Sequence, residues 1–224
     1  MTDGFQGFSD ASLDPPVRGF LYRPQSGGDG LVLAHGAGSS SSSSLLTALS
    51  GAFAGAGFTV LRCDLPFRQA RPYGPPRPGD AERDRDGLRN AVAALRKLGC
   101  GRMFLGGHSY GGRQATMLCA GEADLVAGLL LLSYPLHPPR KPAQPRVQHL
   151  PGLRVPALFV HGTRDPFGSI EEMEAAVKMI PAKTELLTVD GAGHDLGFKG
   201  KAVRDGVVEE IVTAFSGFVG KMSP

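Results

Sequence analysis

The sequence has few cysteines and no secretory leader pattern, and both features bear on the cellular location of the protein. Its three cysteines, Cys63, Cys100 and Cys119, form no C-x-x-C pair. A disulfide framework is therefore not expected, and reduced thiols are typical of a cytosolic protein. The first ten residues lack the basic region followed by an apolar region that marks a signal peptide. We therefore expect a cytoplasmic location.

Charge of one sign and long apolar runs are also scarce. The 224 residues include 24 basic and 21 acidic side chains, and the net charge of +3 is too small to indicate nucleic-acid binding. The longest apolar run, residues 125–132, is too short to span a bilayer. The sequence has no metal-ligand cluster, and "GAGSSSSSS" lacks the Lys-Ser/Thr ending of a phosphate-binding loop. We expect no cofactor, no metal, no nucleic-acid partner and no membrane partner.

Short apolar segments alternate with longer helical segments along the chain. The patterns predict strands at residues 17–24, 30–36, 58–65, 102–109, 127–135, 156–165 and 184–191, and helices at residues 42–56, 80–99, 110–121, 169–180 and 202–222. This alternation is typical of an α/β fold, a mostly parallel sheet with helices on both faces. The sequence has no internal repeat and no clear domain boundary, so residues 1–224 are expected to form a single domain.

The strongest sign of chemistry is a G-x-S-x-G sequence, Gly107-His108-Ser109-Tyr110-Gly111, between a predicted strand and a predicted helix. In that context the serine lies on a strained turn that exposes its hydroxyl at the start of the helix. The flanking glycines let neighbouring backbones approach without a Cβ clash. Ser109 is therefore predicted to be a nucleophile. The alternative is a glycine-rich turn with an inert serine.

A nucleophilic serine needs a base and a group that orients the base. Asp165 follows one late predicted strand and His194 follows the next, which gives the chain order Ser, Asp, His. Asp190 and Asp195 are nearby alternatives, but Asp195 adjoins the base and Asp190 lies at a strand end. We predict that Ser109, Asp165 and His194 form a catalytic triad.

An oxyanion hole is predicted from two backbone turns. The sequence "AHGAG" follows the first long buried strand, and Tyr110 follows the nucleophile. The amides of Ala37 and Tyr110 are the expected donors. Six serines, residues 39–44, come next. Because serine favours helix N-caps, we interpret this run as the rim of the site and the entry to a helix.

Four side chains are expected to contact substrate. Ser39 lies at the predicted rim. Phe67, His137 and Phe198 lie beside strand-end or catalytic turns. For His137 an ordinary loop position is an equally good interpretation. A weaker hypothesis is that Arg68 and Arg71 attract anionic substrates.

The segments "HGAG", "GGHSYGGR", "SYPLHPPRKP", "HGTRDPFG" and "GAGHDLGF" together resemble the α/β-hydrolase superfamily. They are most similar to small dienelactone-hydrolase-like proteins and to the compact bacterial group related to the KANL/Tex-type domain. The resemblance implies a three-layer α/β/α sandwich of about seven to eight strands with the triad named above. Many hydrolases insert a lid where this chain has a short proline-rich segment, residues 134–152, so no cap domain is expected.

The expected function is a serine hydrolase that cleaves carboxylic ester or thioester bonds of small molecules, as a monomer or homodimer. Dienelactone hydrolases proper use cysteine as the nucleophile, and Ser109 in that place favours general ester chemistry. Two alternatives stay open. The same triad serves peptide or amide hydrolases, and some KANL/Tex-type proteins are thought to be binding subunits, which makes a non-catalytic interaction module the third hypothesis.

Overall fold

A computed structural model describes residues 4–24, 28–198 and 206–222. The strands are β1 (Phe5–Asp10), β2 (Val17–Tyr22), β3 (Gly30–Ala34), β4 (Thr59–Cys63), β5 (Met103–His108), β6 (Gly128–Leu132), β7 (Ala157–Gly162) and β8 (Thr184–Val189). The helices are α1 (Ser44–Gly55), α2 (Pro66–Ala70), α3 (Asp80–Lys97), α4 (Tyr110–Gly121), α5 (Ile170–Val177) and α6 (Val207–Gly220), with a 3₁₀ turn at Leu150–Gly152.

The strands form one sheet in the order β1-β2-β4-β3-β5-β6-β7-β8. Strands β3 to β8 are mutually parallel, whereas β2 runs antiparallel to both β4 and β1. The central strands are buried along their length, as expected for parallel strands covered on both faces. The mostly parallel sheet predicted from the sequence is confirmed.

Alternating side chains divide the core between two faces of the sheet. In β3, Val32 and Ala34 belong to the buried cluster that includes residues of α3, α4 and α5, while Leu31 and Leu33 belong to the cluster that includes residues of α1 and α6. This alternation follows from the two-residue period of a strand. The result is the three-layer α/β/α sandwich that the resemblance implied.

Local signals explain where several helices begin and end. The Ser43 hydroxyl accepts a hydrogen bond from the Leu46 amide at 3.4 Å, so the serine run does lead into α1. At the start of α5, Ser169 and Glu172 form the reciprocal capping box that their spacing predicts. After α1, Gly57 has φ +94°, a conformation that glycine adopts without strain.

Two elements were not predicted. Strand β1 is mostly exposed and has little apolar alternation, so only its pairing with β2 defines it. Helix α2 lies in a segment rich in proline and arginine, and it begins with Pro66 at a position where a missing N–H is harmless. The predicted final helix is described from Val207 onward, and residues 202–205 of that prediction lie outside the described residues.

The fold gathers the loops that follow β3, β5, β7 and β8 at one edge of the sheet. The carboxyl ends of parallel strands meet there, which is where α/β sheets bind ligands. Within the described ranges, no cap domain covers this edge. Among the same residues, no helix combines the length and apolar character needed to cross a bilayer.

Candidate active site

Ser109 sits on a strained turn between β5 and α4. Its backbone has φ 51° and ψ −113°, a conformation that non-glycine residues rarely adopt. A Cβ on Gly107 would lie 2.5 Å from the Ala34 carbonyl oxygen, and one on Gly111 would lie 2.7 Å from the His35 carbonyl oxygen. Both glycines are therefore required by close backbone approach, as the G-x-S-x-G pattern predicts.

The structure brings Ser109, His194 and Asp165 into one hydrogen-bonded chain. His194 Nε2 lies 2.8 Å from Ser109 Oγ, and His194 Nδ1 lies 2.8 and 3.0 Å from the two carboxylate oxygens of Asp165. The Asp165 side chain is fully buried, and its Oδ1 also accepts the Phe167 amide at 2.9 Å. This contact fixes the carboxylate, so the imidazole has one favoured orientation.

Two aromatic neighbours hold the His194 loop. The Phe167 ring stacks on the His194 imidazole with centroids 4.1 Å apart and planes at 27°. His108 Nε2–H donates to the His194 carbonyl oxygen at 2.7 Å. The sequence did not indicate Phe167 as part of the site. Its position directly after the Asp165-Pro166 turn is the signal that would have found it.

The turn after β3 packs directly against the nucleophile. A Cβ on Gly36 would lie 2.9 Å from His108 Nδ1 and 3.5 Å from Ser109 Cβ. Ala37 and Tyr110 both line the cavity that contains Ser109. Tyr110 is the first residue of α4, so its amide has no acceptor within the helix. The two residues whose amides are predicted to form the oxyanion hole thus line the same cavity.

A buried histidine braces this turn. His35 Nδ1–H donates to the Gly36 carbonyl oxygen at 2.8 Å, and Nε2 accepts the Leu65 amide at 3.1 Å. These two partners select one neutral tautomer. Burial, the largest influence, lowers the pKa of His35 below its ordinary value, which agrees with a neutral ring. We therefore treat the 3.7 Å approach of Asp64 as a contact with neutral imidazole.

Arg68 ties the same turn to the loop on the far side of the cavity. Its guanidinium donates to four backbone carbonyl oxygens, those of Ala37, Ser39, Arg71 and Gly74, at 2.7–3.2 Å. The Arg71 guanidinium donates to the Asp80 carboxylate at 2.6 Å. Arg71 is therefore paired with a carboxylate, whereas Arg68 donates to neutral carbonyl oxygens, which do not neutralise its charge. That these two arginines attract anionic substrates stays a hypothesis.

A buried carboxylate contacts the side chain of the residue that follows the nucleophile. Asp84 accepts the Tyr110 hydroxyl at 2.7 Å and the Phe67 amide at 3.0 Å. Burial is the main cause that raises the pKa of Asp84. The Phe67 ring meets the Tyr110 ring edge-on with centroids 5.7 Å apart. Asp84 thus couples α3 to the first residue of α4, a contact that the charge-rich sequence of α3 gave no reason to expect.

The cavity at Ser109 has a volume of about 460 Å³. Its lining residues are Gly36, Ala37, Gly38, Ser39, Pro75, Pro76, His108, Ser109, Tyr110, Arg113, Pro135, Arg146, Phe167 and His194. Ser39 lies where the sequence placed it. The prolines and the two arginines were not predicted to line the cavity. The prolines and Arg146 come from loops, and Arg113, the last residue of the segment "GGHSYGGR", was given no role.

Three predicted substrate contacts lie away from this cavity. Phe67 is only 3% exposed because α2 turns it inward onto His35 and Tyr110. His137 Nε2 faces the Glu172 carboxylate at 3.2 Å and lines a separate cavity beside α5. Phe198 packs against the core formed by α1 and α6. The expectation that these three side chains face the substrate cavity at Ser109 is therefore corrected. Each lies near a catalytic turn in the sequence, but that position does not determine the direction in which its side chain points.

Among the residues that the structure describes, no group of three or more His, Cys, Asp or Glu side chains is arranged to hold a metal ion.

Comparisons with known proteins agree with the fold. A family model described as "Alpha/beta hydrolase domain" matches residues 28–220, so the chain belongs to the α/β-hydrolase family. Solved structures with the same fold include Est1E from Butyrivibrio proteoclasticus, at 18% identity and a TM-score of 0.74, covering 97% of this chain and 100% of that one. A dienelactone hydrolase from Anabaena variabilis, at 20% identity and a TM-score of 0.74, covers 99% and 100% respectively. An α/β serine hydrolase homologue from Coxiella burnetii, at 17% identity and a TM-score of 0.74, covers 93% and 96%.

Proposed function

We propose that this protein is a serine hydrolase that cleaves carboxylic ester or thioester bonds of small molecules. The observation that carries the proposal is the unbroken hydrogen-bonded chain from Ser109 through His194 to Asp165 at an open cavity. The names of two structural neighbours, a dienelactone hydrolase and a serine hydrolase homologue, support the same reaction class.

In the proposed reaction, Ser109 Oγ attacks the acyl carbon and its proton passes to His194 Nε2. The carbonyl π electrons move to oxygen, and the amides of Ala37 and Tyr110 stabilise the oxyanion. When the oxyanion collapses, the bond to the leaving group breaks and His194 gives that group the proton. Asp165 stabilises the imidazolium and keeps Nε2 directed at Ser109.

The acyl-enzyme is then hydrolysed by the same groups. His194 removes a proton from water, the resulting hydroxide bonds to the acyl carbon, and the bond to Ser109 Oγ breaks as the serine regains its proton. A cavity of about 460 Å³ without a covering domain in the described ranges favours small substrates over long acyl chains.

The test uses a series of p-nitrophenyl esters from acetyl to decanoyl. Wild type should show highest activity on short chains, and Ser109→Ala should lose about 10⁴- to 10⁶-fold in kcat. Ser42→Ala is the matched control, because Ser42 is exposed and lies outside the hydrogen-bonded chain. Retention of ester hydrolysis by a folded Ser109→Ala variant would contradict the proposal.

A second measurement separates the alternatives. A fluorophosphonate should label wild type at Ser109 and leave Ser109→Ala unlabelled. Labelling without turnover of any ester would direct the search to p-nitroanilide amides, since the same triad serves amide hydrolysis. Absence of both labelling and turnover in folded wild type would favour a non-catalytic interaction module.

A further inference from the structure

Two arginines line the same cavity as the nucleophile and come from different parts of the chain. Arg113 stands in the first turn of α4, and Arg146 lies in the proline-rich segment after β6. No Asp or Glu is among the residues that line this cavity. Neither guanidinium forms an ion pair with any of the described residues. Arg113 Nε is buried and has no hydrogen-bond partner among them.

The groups behind the two arginines offer no negative charge. The Tyr134 hydroxyl donates to the Arg146 carbonyl oxygen at 2.9 Å, and burial raises the pKa of Tyr134 to about 12, so the phenol stays protonated. His149 Nε2 lies 2.8 Å from the Thr116 hydroxyl. Burial, with the Arg113 charge as the second cause, lowers the pKa of His149 to about 4. The surroundings are therefore neutral or positive.

The two positive charges also act on one another. Burial is the main cause that lowers the pKa of Arg146, and repulsion from Arg113 is the next. Partly buried like charges repel one another, and an anion that contacts both guanidinium groups would offset that cost. Arg71 differs, since its guanidinium binds the Asp80 carboxylate. Arg68 differs in another way, since four backbone carbonyl oxygens occupy its N–H groups without neutralising its charge.

The chemistry of guanidinium indicates which anion fits. Its planar N–H groups match the two oxygens of a carboxylate, and such paired hydrogen bonds are stronger than neutral ones. We propose that Arg113 and Arg146 form a subsite for a carboxylate carried by the ester substrate, close to the bond that Ser109 attacks. This inference rests on the proposed esterase function and specifies its substrate class.

The experiment compares matched charged and neutral esters. For a carboxylate on the acyl side, the pair is p-nitrophenyl hemiglutarate and p-nitrophenyl pentanoate. For a carboxylate on the alcohol side, the pair is 4-acetoxybenzoate and its methyl ester. In one of the two pairs, wild type should favour the charged ester by about tenfold or more in kcat/KM after correction for the uncatalysed rate.

Variants connect this preference to the two arginines. Arg113→Gln and Arg146→Gln should each lower the charged-to-neutral ratio by about 10- to 100-fold. Arg113→Lys should keep part of the preference, because it keeps the charge but not the planar fork. Arg154→Gln is the control, since Arg154 is exposed and outside the cavity, and its ratio should equal that of wild type.

The possible results separate this inference from the proposed function. Ser109-dependent hydrolysis with equal rates in both pairs, or ratios unchanged in the arginine variants, would overturn the subsite and leave the esterase intact. If no ester is turned over, calorimetric titration of Ser109→Ala with glutarate decides. Binding that disappears in Ser109→Ala/Arg113→Gln would support the subsite, and an absence of binding to folded Ser109→Ala would overturn it.

Discussion

The two sides of the cavity are supported in different ways. On the strand-end side, Ser109, Asp165 and His194 follow directly from β5, β7 and β8, whose backbones are fixed in the sheet. The opposite side, which we call the loop wall, consists of residues 72–76 and 135–146 and contains neither helix nor strand. It depends on individual contacts, such as those of Arg68 with backbone carbonyls.

This difference assigns separate tasks to the two sides. Groups that move protons must keep their distances within a few tenths of an ångström, and a buried sheet provides that rigidity. Groups that select substrate gain from loops, whose length and sequence vary without cost to the core. Substitutions on the strand-end side should therefore change the rate of the chemical step, and substitutions in the loop wall should change the preference among substrates.

The largest effect is expected from Asp165→Asn on the strand-end side. The Phe167 amide would select the carboxamide oxygen, which leaves the NH₂ group facing His194 Nδ1. The imidazole would then carry its proton on Nε2 and could not accept the Ser109 proton. We expect kcat to fall by about 10⁴-fold with little change in stability. The measurement is hydrolysis of p-nitrophenyl acetate, with thermal unfolding as a check on the fold.

Asp190→Asn is the matched control for this substitution. Asp190 also follows a strand, but it is exposed and its carboxylate contacts the Thr163 hydroxyl. Its replacement should change kcat by less than about threefold. A loss at Asp190 as large as that at Asp165 would show that the orienting acid has been assigned to the wrong residue.

The strand-end side could be predicted from sequence because its signals are local. The elbow glycines adjoin Ser109, and the orienting acid and base follow successive apolar strands in a recognisable order. The same locality made the parallel sheet predictable. Strand β1 was missed for the opposite reason, since only its partner across the sheet defines it.

The loop wall could not be predicted in the same way. Arg113 and Arg146 line one cavity because the segment after β6 returns to the side of α4, and no sequence period encodes that path. The direction of His137 in the loop wall likewise depends on Glu172, which is distant in sequence. The same holds for Phe67 in α2, whose ring packs on Tyr110. Proximity to a motif indicated the right region of the molecule but not the side chains that face the substrate.

Arg68 donates hydrogen bonds to both sides of the cavity, so Arg68→Met tests whether these bonds hold the loop wall in position against the strand-end side. The substitution removes every guanidinium contact to the turn after β3 and to residues 71 and 74. We expect kcat/KM on short esters to fall by about 10- to 100-fold, because the Ala37 amide and the wall would both lose their alignment. Steady-state kinetics on p-nitrophenyl acetate measures the effect.

Charge and geometry can be separated in this experiment. Arg68→Lys should recover little activity, since one ammonium group cannot span four carbonyl oxygens. Arg18→Met, at an exposed position of β2, provides the control for loss of a positive charge and should match wild type. Full recovery of activity with lysine would mean that the positive charge alone matters and that the four hydrogen bonds of the Arg68 guanidinium are unimportant.

The smallest effect concerns pH and again distinguishes the two sides. His149 contacts Thr116 of α4 and the Tyr134 hydroxyl, which donates to the carbonyl oxygen of Arg146 in the loop wall. His35 and His161 lie at strand ends. The pKa of His149 is lowered to about 4, chiefly by burial, and burial is also the first cause that lowers the pKa of His35 and His161.

A histidine in the unfolded chain has a pKa of about 6.5, and the pKa values of these three folded rings lie below it. Their contribution to stability is therefore present above about pH 6.5 and is lost as the pH falls toward the lower folded pKa values.

His149→Gln can still donate to Thr116 but does not titrate. Between pH 7 and pH 5, its free energy of unfolding should fall less than that of wild type by about 1 kcal/mol, a value reduced for solvent screening. Urea unfolding at both pH values measures this difference, provided that the denaturant slope is unchanged. An identical fall in both proteins would place the acid sensitivity in the strand-end histidines and leave the loop wall without a part in it.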